Sequence, residues 1–198
     1  MSASPRLVLA SASPRRRDLL ARCGVPFTVR PSRVGETRRP GEAPVARTVR
    51  LAREKAESVA SRLRSPAWVM GSDTAVVVDG EILDKPGDDA TAAGMLRRLS
   101  GRWHEVLSAV VLVAAHLPRR RPGHGWRRTR VHFRRLSAAQ IAWLLAAGEH
   151  RDKAGGYALQ GRAGAFIAEI SGSASNVVGL PLDLVMELLR RRRFLPFT

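Results

Sequence analysis

Apolar positions along the chain repeat with two different periods, and the periods alternate. Leu7-Val8-Leu9-Ala10 is an unbroken apolar run that predicts a buried strand over Arg6–Ala10. Similar runs predict strands over Phe27–Arg30, Trp68–Val78, Trp103–His116 and Ala165–Ile170. Between them the spacing is helical. Val45, Val49, Ala52, Ala56, Val59 and Leu63 put one amphipathic helix over Ala43–Arg64, with Lys55 at the margin of its apolar face. Ser13-Pro14 opens a helix that runs to about Cys23, and Asp88–Leu99 carries Ala92, Met95, Leu96 and Leu99 on one side. Ser137 and Gln140 have capping-box spacing and open a helix to about Ala147. Pro181 opens a last helix that packs through Leu184, Val185, Leu188 and Leu189.

The connections fit the same reading. Asp79-Gly80 is a two-residue hairpin signal leading into a short strand over Glu81–Leu83. The Pro/Arg/Gly stretch Leu117–Gly125 reads as a surface turn that returns as an antiparallel partner over Trp126–Arg135. Asp152–Gly161 is a glycine-rich loop. Strands alternating with helices define an α/β fold. Without an internal repeat or a long linker, residues 1–198 are expected to form a single domain.

Charge changes the picture in one respect. The formal net charge is +17, and arginines crowd two stretches, Arg119–Arg135 and Arg190–Arg193. Such surfaces attract polyanions, but they lack interleaved aromatics and any zinc-finger or RNP motif, so no dedicated nucleic-acid partner is expected. The longest charge-free apolar run, Val106–Leu117, is too short to span a bilayer. Cys23 is the only cysteine and has no CxxC partner, which fits a cytoplasmic protein.

Thirty-one of the 34 basic residues are arginine; the lysines are Lys55, Lys85 and Lys153. Lysine differs from arginine where a compact ammonium must sit on phosphate, so these positions are candidates for chemistry. Their neighbours strengthen the case. Ser11-Ala12-Ser13-Pro14-Arg15-Arg16 lies at a strand-to-helix junction, where free N–H groups, hydroxyls and guanidinium forks suit a phosphate. Gly71-Ser72-Asp73-Thr74 interrupts a buried apolar strand with a carboxylate, which in such a place holds a metal, acts as a base or pairs with a cation. Asp84-Lys85-Pro86 follows the hairpin. There is no GxxxxGK[ST], GxGxxG or GxSxG motif, and the five histidines are scattered. His104 reads as a strand residue with a local partner, and Tyr157 as a pocket wall.

These segments, in order, resemble the Maf family of nucleotide pyrophosphatases over Leu7–Leu188. The likeness lies in the LASxSPRR-like opening at Leu9–Arg16, the EKA motif at Glu54–Ala56 and the (A/G)ADT-like segment at Gly71–Thr74. It continues through Lys85-Pro86, the LSG…H…V stretch at Leu99–Val106, the DKAGxYxxQG loop at Asp152–Gly161 and the SNVVGLPL ending at Ser175–Leu182. Gly35 departs from an aspartate often found before the family's glutamate, Ala158-Leu159 replaces a Gly-Ile pair, and Ser108 replaces a threonine.

The resemblance implies a Maf/ITPase-like α/β fold: an elongated mixed β-sheet flanked by helices, in two lobes with a central cleft. It also implies hydrolysis of a nucleoside triphosphate to the monophosphate and pyrophosphate, with Mg²⁺ or Mn²⁺, in a protein that forms a homodimer. Arg15, Thr74 and Gln160 match the branch acting on dTTP and UTP, in a house-cleaning role. The alternatives are a sister branch acting on 7-methyl-GTP and a non-enzymatic cell-division regulator binding nucleic acid or protein. Within the enzymatic reading, Asp73 is the expected general base, acting directly or through a metal-bound water, and Lys55 and Lys85 are its catalytic partners on phosphate oxygens. Arg15, Arg16 and Ser11 bind phosphate, Thr74 and Gln160 read the base, and Asp73 and Glu36 ligate the metal. Lys153 is expected to order its loop through Asp152.

Overall fold

In the computed structural model of the chain, which describes residues 6–117 and 120–195, the unbroken apolar run at the start becomes β1 (Arg6–Leu9). It pairs in parallel on both sides, Leu7 opposite Phe27 of β2 (Phe27–Val29) and Leu9 opposite Met70 of β3 (Ala67–Val78). Parallel neighbours need crossovers, and the two helical segments supply them: α1 (Pro14–Ala21) and α2 (Pro44–Ala60). Asp79 and Gly80 then turn the chain with positive φ at both positions, 53° and 76°, as a tight hairpin requires, and β4 (Glu81–Leu83) runs antiparallel to β3.

The remaining elements are α3 (Asp89–Leu99), β5 (Trp103–Ala115), β6 (Gly123–Phe133), α4 (Ala138–Ala146), β7 (Ile167–Ser171), α5 (Ala174–Val178) and α6 (Leu182–Arg190). The strands form one mixed sheet in the order β2-β1-β3-β5-β6-β7, with β4 beside β3. The expected α/β class and mixed sheet with flanking helices are what the chain forms.

Contacts group the described residues into two compact units, one from residues 1–73, 108–127 and 179–198, the other from 74–107 and 128–178. In the first, Val8, Ala56, Val59, Val69 and Ala115 pack where β1, α2, β3 and β5 meet. α6 buries the four residues expected of it, Leu184, Val185, Leu188 and Leu189. In the second, Val76, Leu96, Leu99, Val131, Phe133 and Ile141 form the centre. Among the described residues no helix is long and apolar enough to cross a membrane.

Several boundaries differ from expectation. α2 ends at Ala60 rather than Arg64, because Ser65 precedes a proline that disfavours helix and β3 begins at Ala67. β6 begins at Gly123, inside the expected turn. Pro118 and Arg119 of that turn lie outside the described residues. Residues 162–166 form a 3₁₀ turn, so β7 starts at Ile167, and the short helix α5 was not anticipated from its Ala-Ser-Asn composition.

Candidate active site

The strand-to-helix junction after β1 is built around its hydroxyls. Ser13 has extended backbone geometry and caps α1, accepting from the Arg16 N–H. The Ser11 hydroxyl, 7% exposed, accepts from the Ser13 N–H at 3.2 Å. Proline at the first helical position starts the turn that brings the Arg16 guanidinium back over this loop. Arg16 Nε donates to the Gly179 carbonyl at 2.9 Å and Nη1 approaches Ser11 Oγ at 3.5 Å. Burial pulls the Arg16 guanidinium below its ordinary pKa, while the charges of Asp73 and Glu36 oppose that shift and Arg15 adds to it. Arg16 therefore sits within electrostatic reach of both carboxylates.

β3 brings Asp73 to this place. Ser72 is fully buried and donates to the same Gly179 carbonyl at 3.4 Å, and Asp73 is buried beside it. Across from the strand, α2 presents Lys55, which donates to Asp73 Oδ1 at 2.6 Å and to Glu36 Oε1 at 2.7 Å. The expectation that Lys55 lies at the margin of the helix's apolar face is corrected: it is buried on the same side as Leu51, Ala52, Ala56 and Val59. An ammonium tolerates this only when paired, and two carboxylates provide that. Glu36 is exposed on its loop, which the buried Arg47 anchors through Nη2 to the Glu36 carbonyl at 3.2 Å.

Five of the expected residues thus converge in one unit: Ser11, Arg16, Glu36, Lys55 and Asp73, with Arg15 next to Arg16. Two contributors were not anticipated. The Gly179 carbonyl holds both Arg16 and Ser72, and Arg47 holds the Glu36 loop. The glycine lies in the SNVVGLPL segment, so it was visible as a motif member. Its role depends on a carbonyl, which no side-chain pattern reveals.

Thr74, Lys85 and Gln160 belong to the other unit, Thr74 half-buried and the other two exposed. The Asp84 carbonyl accepts from the Gly155 N–H at 3.3 Å, tying the Asp84-Lys85-Pro86 segment to the glycine-rich loop. A Cβ on Gly155, at φ 71°, would come within 2.9 Å of a Val76 methyl, so the loop needs glycine there. Lys153 Nζ donates to the Arg151 carbonyl at 3.4 Å, a contact within its own loop. His104 has the local partner expected of it, its Nε2 lying 2.7 Å from the Tyr157 hydroxyl. Burial, helped by the neighbouring His132, lowers the His104 pKa to about 4, and burial raises that of Tyr157. Tyr157 packs edge-on to Phe133 in the core.

The donor set suits a hard divalent cation. Two carboxylates already converge on one positive charge, the Lys55 ammonium. Among the described residues no group of three or more His, Cys, Asp or Glu side chains is placed to hold a metal. Two carboxylates completed by substrate phosphate oxygens is how Mg²⁺ is commonly bound. The cluster as a whole can bind an anion through Arg15 and Arg16, a cation through Glu36 and Asp73, and a proton at Asp73.

The profile of the Maf-like protein family matches residues 6–192. The chain is 50% identical to a dTTP/UTP pyrophosphatase of Myxococcus xanthus, over 93% of its own length and 91% of the relative's. It is 51% identical to a dTTP/UTP pyrophosphatase of Moorella thermoacetica, covering 93% of each. A dTTP/UTP pyrophosphatase of Anaeromyxobacter dehalogenans is 49% identical, covering 96% of each.

Proposed function

The chain belongs to the family of Maf-like proteins, and on that premise we propose that it is a cytoplasmic pyrophosphatase hydrolysing dTTP and UTP to the monophosphate and pyrophosphate. The observation that carries the reading is the cluster in which the buried Lys55 bridges the buried Asp73 and the exposed Glu36 beside Arg16. A triphosphate hydrolase needs a base, a cation site and guanidinium donors together, and this cluster contains all three.

In this reading Asp73 accepts a proton from the attacking water. The water oxygen bonds to the α-phosphorus, the bond from that phosphorus to the bridging oxygen breaks, and pyrophosphate leaves. Arg15 and Arg16 hold non-bridging oxygens, and the Ser11 hydroxyl, whose lone pairs take the Ser13 N–H, keeps its own proton to donate. Lys55 exchanges a carboxylate oxygen for a phosphate oxygen as substrate enters, so the ammonium stays paired throughout. Mg²⁺ or Mn²⁺, held by Asp73 and Glu36, would neutralise charge on the triphosphate. Lys85, Thr74 and Gln160 enter on their motifs: the lysine as a point charge on phosphate, the other two as readers of the pyrimidine edge. The homodimer and the house-cleaning role rest on family resemblance alone.

Pyrophosphate release measured over a panel of dTTP, UTP, CTP, purine triphosphates and 7-methyl-GTP tests the proposal. Turnover of dTTP and UTP above the others is the expected result. Preference for 7-methyl-GTP would move the chain to the sister branch, and no release from any nucleotide would end the enzymatic reading.

A further inference from the structure

The first unit contains a second basic concavity that shares no residue with the Lys55–Asp73 cluster. It has a volume of about 840 Å³ and opens beside β2, the edge strand of the sheet. Its floor is apolar, from Val8 of β1, Val59 of α2 and Leu63. Its walls carry five arginines: Arg6, Arg30, Arg33, Arg62 and Arg64. No aspartate or glutamate lines it among the described residues.

Some exposed arginines of the chain meet carboxylates, as Arg98 meets Glu81, Arg102 meets Asp79 and Arg127 meets Asp183. None of the five around the cavity forms such an ion pair among the described residues. Two of them are fixed by neutral groups: Arg6 donates to the Ser65 hydroxyl, and Arg62 donates to the carbonyls of Ser58 at 2.8 Å and Pro31 at 3.2 Å. Their guanidinium planes are thereby oriented without being neutralised. Arginine forks arranged around a concave floor match phosphate oxygens in both charge and geometry.

We propose that this cavity binds a small anion carrying several phosphate groups, at a site separate from the catalytic cluster. Size and chemistry favour a compact ligand over a nucleic-acid strand. The volume lies in the range of small-molecule sites, and no aromatic side chain lines the cavity to stack a base. β1 and α2 each contribute to both places: β1 supplies Val8 and leads into Ser11, while α2 carries Val59 one turn beyond Lys55. The proposal does not depend on which nucleotide the catalytic cluster hydrolyses.

Calorimetric titration with inorganic tripolyphosphate, without divalent metal, tests it. The wild-type protein is expected to bind one molecule per chain that the double variant Arg30→Glu/Arg64→Glu does not bind. Neither residue belongs to the catalytic cluster, so pyrophosphate release from dTTP stays at the wild-type level in that variant. The charge-conserving Arg30→Lys/Arg64→Lys variant keeps the site but loses the forks, weakening binding by about tenfold. Hydrogen exchange places the ligand: protection on binding is expected over residues 28–33 and 62–67. The proposal is overturned if the number of bound molecules is the same in wild type and Arg30→Glu/Arg64→Glu, or if protection falls only around Ser11 and Asp73. Oligonucleotides that bind more tightly than tripolyphosphate, in proportion to their length, would overturn it in favour of a nucleic-acid surface.

Discussion

Gly71 of β3 lies against Ala52 of α2 so closely that a Cβ on Gly71 would fall 2.0 Å from the Ala52 carbonyl oxygen and 2.8 Å from the Ala56 nitrogen. Strand and helix meet here backbone to backbone, without an intervening side chain. Asp73 is two residues further along the strand and Lys55 three further along the helix, so this approach sets the 2.6 Å contact between them.

Gly71→Ala therefore cannot be absorbed by a side-chain rotation, because the clash is with backbone. The helix and strand must separate, at a cost of at least about 2 kcal/mol, and the Lys55–Asp73 contact lengthens with them. Urea unfolding and pyrophosphate release are expected to fall together. A variant with normal stability and normal turnover would show that the two backbones can slide apart without consequence.

Asp73→Asn keeps the shape and can still accept a hydrogen bond from Lys55, and Glu36 still pairs the ammonium, so the chain should fold, with a thermal melt below that of the wild type. It removes the proton acceptor, and turnover of dTTP is expected to drop by about 10²–10⁴-fold. Turnover within about threefold of wild type would remove Asp73 from the role of base, given that general-base contributions are of this size.

Lys55→Arg conserves charge yet should lose at least about tenfold in turnover. The site holds a compact ammonium between two carboxylate oxygens at 2.6 and 2.7 Å, in a place where Lys55 is only 7% exposed. A guanidinium is planar and larger, and it cannot occupy the same point between Asp73 and Glu36. Lys85→Arg, at an exposed position, asks the same question of phosphate contact alone. Normal kinetics in both variants would mean that lysine persists at these positions for no chemical reason.

Acid should weaken the fold through His104. In the folded chain burial holds its pKa near about 4, against 6.5 for an unburied histidine. Between those values the unfolded chain binds a proton that the folded chain does not. The contribution is fully present above about pH 6.5 and is lost as pH falls toward 4, by on the order of 3 kcal/mol. His104→Gln cannot titrate and can still bond the Tyr157 hydroxyl, so the difference in urea midpoint between pH 7 and 4.5 should be smaller in that variant than in the wild type. Equal differences would show that His104 charges without cost.

Much of this architecture is written locally. Asp79-Gly80, Ser13-Pro14 and the Ser137/Gln140 box each specify a turn or cap within four residues, and each forms as expected. Lys55 shows the limit. Its helical phase places it near the apolar stripe, but its burial depends on Asp73, 18 residues away, and Glu36, 19 residues away, which periodicity does not encode. Gly179 shows another, since a backbone carbonyl has no residue-type signature. α5 was missed because Ala174-Ser175-Asn176 carries no apolar period, and its helix depends on Ser173, whose hydroxyl accepts from the Asn176 N–H at 3.4 Å.

Base selectivity should rest on Thr74 and Gln160, with Arg15 steadying the phosphate end. A primary amide can answer both the N3–H donor and the O4 acceptor of thymine or uracil. Cytosine presents an acceptor at N3 and a donor at N4, so CTP should be poor unless the amide turns over. Gln160 is exposed in the free chain, which leaves that flip open until a neighbour pins the amide, and the Thr74 hydroxyl is the proposed pin. Polar groups left unpaired by the wrong base can cost up to about 10⁴-fold in kcat/KM. Gln160→Ala should therefore lower kcat/KM for dTTP and UTP far more than for purine triphosphates, narrowing the dTTP-to-CTP ratio. Thr74→Ala should narrow the same ratio by raising CTP, because the amide is then free to flip. The measurement is kcat/KM for dTTP, UTP, CTP and 7-methyl-GTP on the wild type and both variants. An unchanged dTTP-to-CTP ratio in Gln160→Ala would take base reading away from this residue, while the hydrolytic role of the Asp73 cluster would stand on its own variants.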